Sequence, residues 1–106
     1  MTLSIESIQA GSWGTIIRGW AKNDGDVLDI SAATTKTFIL KEQGGIAAAK
    51  AGSFVTDGTD GGLYYITVNG DVGDDDDGIW GVQLHIITPT FDLKSRPKYF
   101  QVLTNL

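Results

Sequence analysis

Residues 79–87 read IWGVQLHII, and Trp80, Val82, Leu84 and Ile86 fall on one face of an extended chain. Gly81, Gln83 and His85 fall on the other. A period of two, held over this length, scatters apolar groups around a helix but gathers them on one side of a strand. The run is therefore a strand with a core face and a more polar face. A second strand-like run, LYYITV at 63–68, precedes it. Turn chemistry flanks both: Asp57-Gly58-Thr59-Asp60-Gly61-Gly62 before the first, and Asn69-Gly70-Asp71 with the aspartates of 74–77 between them.

The rest of the chain has the same grain. Leu3, Ile5 and Ile8 begin a first strand ending at the turn Ala10-Gly11-Ser12. WGTIIRGWA at 13–21 alternates imperfectly, with Trp13 and Ile17 on one face and Ile16 and Trp20 on the other. This suits a strand buried partly on both sides, or one with a bulge at Gly14 or Gly19. Lys22-Asn23-Asp24-Gly25-Asp26 is a turn, Val27, Leu28 and Ile30 an apolar approach, and Ser31-Ala32-Ala33-Thr34 a small-residue bend. Residues 34–41 form a strand with Phe38 and Leu40 facing the core and Lys36 and Lys41 reaching water. Glu42-Gln43-Gly44-Gly45 closes a hairpin. The alanine-rich run 46–51 has helical propensity, but it is short, glycine-bounded and set between β segments, so it reads as a weak, exposed strand. Residues 53–56 continue as a strand. After 87, Pro89 breaks the ladder, 93–97 is loop, and KYFQVL at 98–103 is the last strand. Seven or eight short strands with glycine-rich punctuation predict one all-β domain over residues 1–106, an antiparallel sandwich.

Composition narrows the function. The 106 residues suffice for one modest core, and a hydrophobic content of 42% is that of a folded protein. No apolar run approaches the length of about 20 residues that crosses a bilayer as a helix, and the N-terminus lacks the pattern of a secretory signal. There is no cysteine, which removes disulfides, thiolate zinc sites and cysteine nucleophiles. Thirteen acidic residues against eight basic ones, the latter scattered, argue against a phosphate-tracking nucleic-acid surface.

Asp76-Asp77-Gly78-Ile79-Trp80 has the spacing D-x-G-x-aromatic, which resembles the start of strand F in immunoglobulin-like sandwiches. There a corner tyrosine ties the loop back to the sheet. Trp80 can donate an equivalent bond through its indole N–H, or serve simply as core. Together with NDGDVLDIS, DISAATTKTFILK, FVTDGTDGGLYYITVNGD, DDGIWGVQLHI and KYFQVL, the chain resembles the immunoglobulin-like domain of tailed-bacteriophage virion proteins. These are found at the start of baseplate upper proteins and in tail or head accessory proteins. The most specific parts are Asp29-Ile30-Ser31 with Ala33-Thr34, and the run from Asp57 to Gly61 followed by Tyr64-Tyr65. The resemblance implies an immunoglobulin-like fold and no catalytic residues. It departs from the longer relatives, which continue into fibre-forming or receptor-binding modules. Asp29 suits a bond to an amide two residues on, fixing the bend.

No reactive constellation emerges from the residues. Aspartates 74–77, with Asp71 nearby, crowd one another without the alternating spacing or distal glutamate of a calcium loop, so they read as a solvated turn and not a metal site. His85 is the only histidine and reads as a surface or interface residue. No serine elbow, phosphate-cradling loop or paired-carboxylate cleft is present. The expectation is a non-enzymatic virion component without cofactor, made in the host cytoplasm. It would pack against other virion proteins as a homo-oligomer or in many copies, as adaptor or decoration protein. The candidate docking edge is Ile46, Ala47, Ala48, Ala49, Lys50 and Ala51, with 98–103 as second choice. The alternative is a carbohydrate-binding module that stacks sugars on Trp13, Trp20, Tyr64, Tyr65 or Tyr99. A calcium-stabilised adhesion domain is a third class.

Overall fold

The computed structural model describes residues 2–4, 8–23, 25–73 and 75–104. They contain no helix, and thus none long and apolar enough to cross a membrane. Twelve strand segments, several of only two or three residues, replace the expected seven or eight. These are β1 (Thr2–Ser4), β2 (Ile8–Gln9), β3 (Ile16–Trp20), β4 (Lys22–Asn23), β5 (Asp26–Val27) and β6 (Thr35–Glu42), followed by β7 (Ala48–Ala51), β8 (Ser53–Phe54), β9 (Gly62–Ile66), β10 (Gly78–Ile87), β11 (Asp92–Lys94) and β12 (Lys98–Leu103). They form an all-β sandwich. One sheet has the order β1-β3-β9-β8, the other β2-β12-β10-β6-β7, with β11 also on β10 and β4-β5 as a small separate hairpin. Every pair is antiparallel except β2 with β12.

The alternation in β10 has the predicted phase. Trp80, Val82, Leu84 and Ile86 are buried, and they meet Phe38 and Leu40 of β6 and Phe100 and Val102 of β12. Ile17 and Leu63 come from the other sheet into the same core, and Ile30 and Val72 join it from the loops. This stacking of two inner faces is what excludes water, at roughly 25 cal/mol per Å² of apolar surface buried. Trp80 also donates its indole N–H to the carbonyl of Asp76 at 2.8 Å, so the corner bond is made.

β3 differs from its sequence reading. Trp13 lies outside the strand, 63% exposed, and only Ile17 and Gly19 face inward. The reason is a bulge at Gly14, one of the two positions the sequence marked. Gly14 (φ 90°) donates to the carbonyl of Thr67, while the Thr67 amide donates to Thr15, so two residues oppose one. The extra residue sets which isoleucine is buried. Gly19 itself stays in regular register with Leu63.

Three further expectations need correction. Residues 93–97 are not all loop, because Leu93 and its neighbours form β11 along β10. β12 covers only Gly78 to Val82 of that flank, and buried Ser95 fills the gap by accepting the Leu84 amide on its Oγ at 2.8 Å. The first strand is divided between the sheets as β1 and β2; Ile5 lies outside the described residues. Lys36 does not simply reach water: it shares the inward phase of Phe38, and its ammonium sits 4.8 Å over the Phe54 ring.

Candidate docking surfaces

The loops carrying the resemblance are held by their own side chains. Asp29 accepts from the Ser31 amide at 2.9 Å and from its hydroxyl, the bond expected two residues on. Asp57 does the same for Thr59, and Asp60 accepts from the Gly62 amide. The hydrogen bonds to Ser31 and Thr59 hold the carboxyls of Asp29 and Asp57 below the usual aspartate range. These carboxylates are committed to turns. The acidic loop behaves likewise: Asp76 accepts from the Gly73 amide at 2.7 Å and Asp77 from the Thr104 hydroxyl at 3.0 Å, so the two diverge. Asp74 lies outside the described residues. Among those described, no cluster of three or more His, Asp or Glu is placed to hold a metal ion.

The Asp71 carboxylate is withdrawn from solvent. The Asp71 side chain is 4% exposed and is met by Lys50 Nζ at 3.0 Å, by the Val68 amide at 2.9 Å and by the Tyr65 hydroxyl. Burial pushes its carboxyl up, but the bonds from Tyr65, Val68 and Lys50 outweigh this and leave it below the ordinary value. Burial, and then the neighbouring Asp71, push the Tyr65 phenol well above its ordinary 10.0. Lys50 stands on β7, in the six-stranded sheet, while Asp71 follows β9 of the other. The pair therefore ties the sheets together on their open side.

The predicted docking residues lie where an edge requires. Ala48, Ala49, Lys50 and Ala51 are β7, the outermost strand beside β6, with Ile46 and Ala47 leading into it. Ile46 is 94% exposed. Lys50, the one charge on this edge, points inward to Asp71. The second choice, β12, is an inner strand at its C-terminal half, where Val102 and Leu103 pair with β2.

Two sheet faces were not singled out by sequence. On the outer face of the four-stranded sheet, Ile16 and Ile66 are direct cross-strand partners, 40% and 44% exposed. Arg18 and Tyr64 pair beside them, and Val55 lies next to Gly62, so Arg18 is the one charge among Ile16, Tyr64, Val55 and Ile66. A hollow of about 260 Å³ lies between Ile16, Arg18, Val55 and Tyr64. On the outer face of the other sheet, Tyr99 leans over its partner Gly81, where a Cβ would come within 3.3 Å of the ring. Ile79, Ile39 and Ala47 help line a groove of about 530 Å³ beside it. His85, on the same face, lies 2.7 Å from Asp92 of β11, a carboxylate that sequence spacing did not bring to it.

Comparison with known protein families, curated proteins and solved structures finds no match for the chain.

Proposed function

We propose that the chain is a non-enzymatic, immunoglobulin-like packing module of a tailed-phage virion. It is made in the host cytoplasm and built into the particle against other virion proteins. The immunoglobulin-like reading is supported by the strand order. β1-β3-β9-β8 follows the order A-B-E-D, and β12-β10-β6 the order G-F-C, with the corner aromatic at the start of the strand equivalent to F. The packing role is carried by one observation, the apolar outer face around Ile16 and Ile66. An exposed cross-strand pair of this kind, continuous with Val55 and Tyr64, is the surface a second protein covers. The carbohydrate-binding alternative has less support, because the five rings do not gather on one platform, although Trp20 and Tyr64 share the outer face of the four-stranded sheet. Tyr99 lies on one sheet, Tyr64 on the other, and Tyr65 turns inward to Asp71.

Cross-linking and mass spectrometry of purified particles test the reading. The expected result places residues around Ile16 and Ile66 against another virion protein. Particles that lack the chain, or that leave this face open to solvent, overturn it.

A further inference from the structure

β7 has β6 on one side and no strand beyond it among the described residues. The Gly52 amide donates to the Lys36 carbonyl at 2.7 Å, which sets the phase of this ladder. Hydrogen-bonded and non-hydrogen-bonded pairs alternate along antiparallel strands, so Lys50 with Phe38 and Ala48 with Leu40 are the bonded pairs. The N–H and C=O groups of Ala49 and Ala51, and of Ala47 by continuation, then point away from the sheet. They form a template for another strand.

Three features fit that template to itself. Its outward-facing residues carry only methyl groups, so a second backbone can approach to the usual spacing of about 4.8 Å. Its one charge is already matched within the chain, since Lys50 is held by buried Asp71 at 3.0 Å. A like strand therefore meets no unbalanced cation. The sequence is also self-complementary about Ala49. A two-fold axis there sets Ala47 against Ala51, Ala48 against Lys50, and Ile46 against Gly52. No lysine faces a lysine, and the fully exposed Ile46 falls opposite a residue with no side chain to collide with it. We infer that β7 pairs antiparallel with β7 of a second copy, with the axis at Ala49, and joins two six-stranded sheets into one. The pairing belongs to the isolated chain, so its failure leaves the virion reading standing, and the reverse also holds.

The chain has no cysteine, so single introduced thiols report the contact cleanly. In a hydrogen-bonded antiparallel pair the two Ala49 Cα atoms lie about 5.5 Å apart, within the span of a disulfide. Ala49→Cys should cross-link under oxidation about tenfold or more faster than Ala32→Cys, an exposed control in the 31–34 bend. Sedimentation of the unmodified chain should show a dimer that dissociates on dilution. Ala49→Pro should abolish it while keeping the fold, because proline is tolerated on an edge strand whose N–H faces solvent. A chain that stays monomeric at millimolar concentration overturns the inference. So does Ala49→Cys that cross-links no faster than the control, or a dimer that survives Ala49→Pro. Should the proline variant fail to fold, the cysteine comparison decides alone.

Discussion

Lys50 of β7 reaches across the open side of the sandwich to Asp71, which follows β9, and the two meet at 3.0 Å with the carboxylate almost wholly buried. The contact has a distinct consequence for stability. Asp71→Asn keeps the shape but removes the charge that Lys50, the Val68 amide and the Tyr65 hydroxyl all address. A loss of about 1–3 kcal/mol is expected, read from the urea midpoint, the lower figures reflecting the partial exposure of Lys50.

The same cluster sets a pH window. The folded carboxyl of Asp71 lies below its unfolded value of 3.8, so its contribution is complete above that value and is lost as pH falls through the folded one. Tyr65 has the opposite sense. Its folded phenol lies above 10.0, so its contribution is complete below pH 10.0 and declines as pH rises beyond it. Stability measured against pH should fall at both ends, and Asp71→Asn should flatten the acid limb.

Trp80 holds its loop as well as filling the core. Trp80→Phe keeps most of the apolar volume but leaves the Asp76 carbonyl without its 2.8 Å donor, for an expected cost of about 1–2 kcal/mol. Trp80→Ala should cost about 3–5 kcal/mol. Equal losses in the two variants would mean that the bond, and not the packing, dominates.

Gly61 is pinned on two counts. Its φ is +74°, and a Cβ there would lie 2.5 Å from the Ala21 carbonyl, which is backbone and cannot step aside. Gly61→Ala should therefore destabilise by more than the roughly 1 kcal/mol of left-handed strain alone, as denaturant unfolding would show.

Calcium should leave the thermal midpoint unchanged at millimolar concentration, because Asp76 and Asp77 are engaged in different directions. A rise of several degrees, lost when these residues become asparagine, would contradict this.

The core was legible because β10 and β6 alternate strictly, and Phe38, Leu40 and the four inward residues of β10 needed no tertiary information. The edge position of β7 was legible too, from its short alanine-rich run between glycines. The direction of Lys50 was not. It depends on the register of the β6–β7 hairpin, and a shift of one residue would turn it to solvent. Nor could the sequence choose between Ile16 and Ile17, since the bulge at Gly14 is expressed only through its pairing with Thr67. β11 was missed because its one inward residue, Leu93, gives no period. The outer face around Ile16 and Ile66 was missed because cross-strand neighbours lie 50 residues apart in the chain.

The parallel pairing of β2 with β12 has a mechanical meaning. Val102 lies against Ile8 and Leu103 against Gln9, with both strands running the same way. Tension drawn through the chain pulls the leading end of β2 one way and the trailing end of β12 the other, along the strand axes. The bonds between them are then sheared together and not peeled apart one after another, so a pull that has first drawn β1 away from β3 meets in β2 and β12 a pair that yields as a unit.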